Sequence, residues 1–152
     1  MANTIKIKKY VDIVEEYPAH DADIVPGHLL ALLSTGKVDS HPTDGGIALP
    51  MFALEDELQG KNIDEKYATD MPVQVWVAQR GEQVNAILKA GENVNVGDFL
   101  ISAGNGELKK VTGASTDDLH PVAVALKAVN LSDSSSVWTP TAHERRIKVR
   151  VM

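Results

Sequence analysis

The stretch Asn93-Val94-Asn95-Val96-Gly97-Asp98-Phe99-Leu100-Ile101-Ser102-Ala103-Gly104-Asn105-Gly106-Glu107-Leu108 decides how the chain is read. Val94 and Val96 alternate with polar Asn93 and Asn95, the two-residue period of a half-buried strand. Gly97-Asp98 is a turn pair, in which glycine accepts the positive φ that a Cβ resists. Phe99-Leu100-Ile101 resumes an apolar strand, and Gly104-Asn105-Gly106 folds it back as a hairpin. Seventy positions earlier the pattern is already present. Gly27 falls on Gly97, Leu29 on Phe99, Leu30 on Leu100, Gly36 on Gly106 and Val38 on Leu108, without a gap.

The match resumes further on. Phe52-Ala53-Leu54-Glu55 falls on Val124-Ala125-Leu126-Lys127 at an offset of 72, and Val73, Val75 and Val77 answer Ile147, Val149 and Val151. The chain therefore reads as one β module written twice, about 14–80 and 84–152. Two copies of this length do not make a solenoid. A pseudo-two-fold relation between the copies is expected, with Gly27, Gly36, Gly97 and Gly106 as structural turns. The hairpins Gly27–Val38 and Gly97–Leu108 should correspond, as should strands Ile47–Leu54 and Val122–Val129.

Around these hairpins, Thr4 to Val14 alternates Ile5, Ile7, Val11 and Ile13 against Lys6, Lys8, Tyr10 and Asp12, which predicts a strand. Helical spacing through Ile7, Tyr10, Val11 and Val14 fits as well. Residues 1–13 are set apart as an N-terminal strand or arm, and 14–152 as a single domain. Glu15 to Asp23 reads as a polar connection broken at Pro18. Ile47 to Leu54 is an apolar strand, with Pro50 suggesting an edge or a bulge. Glu55–Met71 and Asn130–Glu144 are two long excursions at equivalent places, the first with Asn62 as a possible cap for a helical turn. No segment carries a sustained helical apolar face. Short, evenly spaced strands predict an all-β fold, a small closed or nearly closed barrel.

A chain of 152 residues suits one domain that buries roughly 70% of its unfolded surface. Without cysteines it offers no disulfide framework and no thiolate metal site. No signal-peptide core follows Met1-Ala2-Asn3-Thr4, and the longest apolar run, Leu29–Leu33, is far short of a membrane span, so a soluble protein without membrane contact is expected. The net charge of −6 is unevenly spread. Lys6, Lys8, Lys9, Arg145, Arg146, Lys148 and Arg150 supply seven of fifteen basic residues, leaving a body with eight bases against twenty-one acids, a balance of −13. Such a body repels nucleic acid. The two basic ends are either solvated strand edges or one patch for an acidic partner.

Catalytic and metal-binding patterns are missing. No serine sits in a glycine-flanked elbow, and no two of His20, His28, His41, His120 and His143 have a ligand spacing. His28 occupies the turn position matched by Asp98. The paired acids Asp21/Asp23, Glu55-Asp56-Glu57, Asp64-Glu65 and Asp117-Asp118 lie in polar loops, where solvated charge explains them. Trp76 is expected in the core, while Trp138, among Ser, Thr and Pro, is the aromatic most suited to exposure. The expectation is a non-enzymatic protein without cofactor or metal.

The run Gly97-Asp98-Phe99-Leu100, a Gly turn and Leu108, then Pro121-Val122-Ala123-Val124-Ala125-Leu126 and terminal Arg146-Ile147-Lys148-Val149-Arg150-Val151, resembles the small β-barrel decoration (cement) proteins of tailed bacteriophage capsids. Pro26-Gly27 through Phe52-Ala53-Leu54 repeats the likeness. A similar hairpin occurs in biotinyl- and lipoyl-type barrels, but Lys89 and Lys109-Lys110 lack the context of a carrier lysine. The resemblance implies no catalytic residues. It implies a protein assembled in the bacterial cytoplasm that binds the major capsid protein on the virion exterior, as a trimer or a dimer, and braces the shell. Expected contact residues are Ile5, Lys6, Ile7, Lys8, Lys9, Trp138, Arg146, Lys148 and Arg150. The alternative is a β-barrel module for a small ligand or a carbohydrate.

Overall fold

The computed structural model describes residues 12–113, 120–132 and 145–152. Twelve short strands follow one another among them: β1 Val14–Pro18, β2 Leu30–Leu32, β3 Val38–Ser40, β4 Met51–Ala53, β5 Pro72–Val77, β6 Gln83–Ile87, β7 Asn93–Val94, β8 Phe99–Ser102, β9 Leu108–Lys110, β10 Ala123–Ala125, β11 Val129–Asn130 and β12 Arg146–Val151. The 3-10 turn Glu57–Gln59 interrupts them. The fold is all-β. No helix among the described residues is long and apolar enough to cross a membrane.

The two halves share one topology. In the second, the sheet runs β6-β12-β10-β8-β9. In the first, it runs β1-β5-β4, and the bridge Leu29↔Phe52 then joins β4 to the hairpin β2-β3. Register repeats as well as order. Leu30↔Ser40 and Leu32↔Val38 return as Leu100↔Lys110 and Ser102↔Leu108, and Phe52↔Trp76 returns as Val124↔Arg150. Even the parallel bridges correspond, Ala19↔Val38 with Leu88↔Leu108. A one-residue slip anywhere would turn a core face outward, so this register is fixed by burial.

The apolar side chains sort into two cores. Leu30, Val38, Met51, Ala53, Val73 and Val75 form the inner face of the first module, with Tyr67 from the first excursion packed among them. The equivalent residues of the second module, Leu100, Leu108, Ala123, Ala125, Val149 and Ile147, are joined by Leu29, Phe52 and Trp76, which come from the opposite face of the first. The modules are thus stacked in series, with the back of the first against the front of the second. Phe52 is 1% exposed there, and burial of such a side chain contributes about 1.5–3 kcal/mol.

This stacking corrects the expected pseudo-two-fold. A two-fold would make every contact reciprocal. Instead, a Cβ on Gly27 would meet Asn85 O at 2.9 Å, and one on Gly106 would meet His28 Cβ at 2.9 Å, whereas Gly97 and Gly36 have open space. The strands also pair into separate antiparallel sheets rather than one closed barrel among the described residues.

Three element boundaries differ from those read in the sequence. The predicted strand Ile47–Leu54 shrinks to Met51–Ala53, because Pro50 has no N–H to donate and Ile47 (76%) and Leu49 (59%) are exposed. Val122–Val129 divides into β10 and β11, the latter pairing with β7. Glu15–Pro18, expected as a connection, belongs to β1. Pro18 is tolerated because β1 is an edge strand among the described residues and Pro18 is its last residue, opposite Pro72. The remainder of the predicted strand Thr4–Val14, up to Val11, lies outside the described residues. The helical turn expected at Asn62 is instead an Asx turn, with Asp64 N–H donating to Asn62 Oδ1 at 2.9 Å.

Candidate interaction surface and the cleft between modules

A cleft of about 500 Å³ opens where the modules meet. The first module contributes Asp21, Asp23, His28 and Asp39, and the second contributes Lys89 and Glu107. His28 sits at its floor, 8% exposed, with Nδ1 accepting from Val25 N–H at 3.3 Å and lying 3.1 Å from Ser40 Oγ. Burial, and then the charges of Arg145 and Arg146, lower its pKa to about 4, so the ring is neutral near pH 7. Glu107 is drawn in with the Arg145 guanidinium. Burial raises its pKa, against the pull of Arg145. At the rim, His20, Asp21 and Asp39 bring ligand-type atoms within 4.8 Å of one another. His20 and Asp21 are exposed and Asp39 is half-buried, which solvated charge explains.

The basic C-terminal cluster divides by burial. Arg146 is 9% exposed and turned inward: its guanidinium donates to Pro26 O at 2.9 Å and to Ile63 O at 2.6 Å, with Asp64 3.7 Å away. Burial lowers its pKa. It is a latch that ties β12 to two segments of the first module. Arg145, 2% exposed, donates through Nε to Leu88 O at 3.3 Å. Lys148 and Arg150 face solvent. Of the expected contact residues, then, these two are available at a surface and Arg146 is not. Ile5, Lys6, Ile7, Lys8, Lys9 and Trp138 lie outside the described residues.

The turn glycines stand as read, with φ of 93° at Gly27, 79° at Gly36, 90° at Gly97 and 74° at Gly106. Trp76 is half-buried against the second core. Val96 (66%) and Phe99 (50%) are exposed apolar residues on the outward side of the second module, outside the contact residues expected from the sequence. Their alignment with buried Pro26 and Leu29 is the signal that an outer face exists there, but alignment does not say what covers it.

Neither a family model nor a curated protein matches this chain. A solved structure does. The chain has the fold of the head fiber gp8.5 N base of bacteriophage phi29. The two superpose with a TM-score of 0.57 over 93% of this chain and 95% of that one, at 12% sequence identity. At that identity the likeness is one of fold. It takes in both modules, because nearly the whole length of each chain is matched.

Proposed function

We propose that the chain is a structural protein of a tailed-phage head, which binds the outer surface of the assembled shell and stabilises it. The observation that carries this reading is the two-module fold held in common, end to end, with a head fiber base. The surface chemistry supports it. Lys148 and Arg150 project from β12 of an otherwise acidic body, and the leading segment carries Lys6, Lys8 and Lys9 with no acid among residues 1–9. The leading segment acts by lending a strand or a set of charges to the shell, and several chains on one shell reinforce weak single contacts.

The test is co-sedimentation of the purified chain with assembled heads of the source phage. Saturable binding at a fixed ratio to the major capsid protein is expected. Deleting residues 1–9 should leave the melting point unchanged and weaken binding at least tenfold. Replacing Lys6, Lys8 and Lys9 with glutamate should weaken it most at low salt, where attraction is least screened. Heads that never retain the chain would refute the reading.

The cleft favours a second reading, a module for a small ligand or a carbohydrate, since it is roomy, polar and formed between two rigid sheets. A ligand-dependent rise in melting point, abolished by changes at Asp21 and Asp39, would favour it over shell binding.

A further inference from the structure

The contact between the two modules has an unused counterpart at each end of the molecule. Inside the chain, the 24–29 turn of the first module rests on the second. Gly27 lies over the β6 backbone at Asn85, His28 lies against Gly106, and Leu29 N–H donates to Gly106 O at 2.8 Å. Pro26 O takes the Arg146 guanidinium, and His41 Nδ1 lies 2.8 Å from Ser102 Oγ. The strand registers give each partner an equivalent in the other copy. The equivalents of Pro26, Gly27, Leu29 and His41 are Val96, Gly97, Phe99 and Val111 on the second module. Those of Arg146, Asn85, Gly106 and Ser102 are Pro72, Glu16, Gly36 and Leu32 on the first.

None of these equivalents meets its opposite number within the chain. Gly97 and Gly36 face open space, and Val96, Phe99 and Leu32 are 66%, 50% and 52% exposed. Pro72 is exposed, with Met71 beside it at 52%. Among the described residues, four of the nine large exposed apolar side chains, Leu32, Met71, Val96 and Phe99, therefore fall on the two unused faces. The pairings are chemically compatible: Val96 on Pro72, Val111 on Leu32, and Phe99 against the bare backbone at Gly36.

We propose that a second copy of this chain docks here head to tail, the 95–99 turn of one molecule on the β1 edge and β2-β3 tip of the next. An interface that joins unlike faces leaves one of each free and propagates into a ring or a filament. The repeat is confined to the rim of the internal interface, because Tyr67 already fills the first module's inner face. A contact of that size is weak in dilute solution and needs trapping. The inference stands independently of the head-surface reading.

The chain has no cysteine, so single thiols report contacts cleanly. Val96→Cys and Pro72→Cys chains are made separately, mixed in full-length form and oxidised. A disulfide between unlike variants, at least tenfold above that in either variant alone, is expected, with a ladder or a closed ring from the double variant. Phe99→Asp should cut the yield at least tenfold at unchanged melting point. If Pro72→Cys does not fold, Glu16→Cys probes the same contact from the edge strand. Val96→Cys linking equally well to itself would mean like-on-like pairing and would overturn the proposal. So would the absence of a link at millimolar chain concentration.

Discussion

His28 and Asp98 hold the same turn in the two modules by different chemistry: Val25 N–H donates to His28 Nδ1 at 3.3 Å, and Asn95 N–H donates to Asp98 Oδ2 at 2.7 Å. Each side chain caps an N–H three residues back, but their surroundings are opposite. Asp98 lies at the surface, where hydrogen bonds from Lys110 and Asn95 lower its pKa, while His28 is buried under Gly106.

That difference makes the first module acid-sensitive. His28 has its pKa lowered from 6.5 to about 4, by burial first and by Arg145, Arg146 and Lys66 next, with Asp23 opposing. Between those values the unfolded chain binds a proton that the folded chain refuses. Stability from this group is therefore complete above pH 6.5 and is lost as pH falls towards 4, by up to about 3 kcal/mol. Urea titrations across this range should show the loss. His28→Asn, which keeps a cap, should flatten it.

Equivalent glycines should respond unequally to alanine. At Gly97, with φ of 90° and open space, the cost is backbone strain alone, about 1 kcal/mol. At Gly27, with φ of 93°, the added carbon also lies 2.9 Å from the Asn85 carbonyl, and the cost should exceed about 3 kcal/mol. Chemical denaturation of the two variants side by side checks the ratio. Equal losses would contradict the serial stacking.

Two arginines of β12, four residues apart, should differ as sharply. Arg146→Ala strands Pro26 O and Ile63 O and removes the charge opposite Asp64, so a loss of about 3 kcal/mol is expected. Arg150→Ala, at an exposed position, should fall within about 0.5 kcal/mol of the parent. Thermal melts of both variants settle the contrast.

Tyr67 gives a marker for the first core. Its hydroxyl donates to Leu54 O at 2.6 Å, and burial raises its pKa to about 12. The unfolded phenol ionises near pH 10 and the folded one does not, so this contribution holds below pH 10 and is lost as pH rises towards 12. Tyr67→Phe should cost about 1–2 kcal/mol at neutral pH and remove that alkaline dependence, read by tyrosinate absorbance during titration.

The sequence made the strands, the repeat and the turn glycines legible because each is written in local chemistry: period-two alternation, glycine where φ is positive, and gap-free matches seventy residues apart. It did not reveal how the copies meet. Arg146 illustrates the gap. Its place in the alternation with Lys148 and Arg150 puts it on the outer face, and only the arrival of Pro26 and Ile63 from another part of the chain covers it. Likewise Leu29 and Phe99 carry the same local signal. One is fully buried and the other half-exposed, because serial stacking gives the first module a neighbour and the second none among the described residues. The sequence therefore marks the charged ends of the chain and leaves the exposed apolar 95–99 turn unmarked.

The serial stack also sets an order of events during synthesis. The first core closes with residues that leave the ribosome early, from Ala19 to Val75, and takes nothing from the described residues of the second module. The second core is incomplete without Leu29, Phe52 and Trp76, which are already displayed when its first strand emerges. The nascent chain thus carries, for as long as translation of the second half lasts, a bare aromatic and aliphatic platform. That platform is a template for the strands still to come and, until they arrive, the point at which two half-made chains would stick to each other.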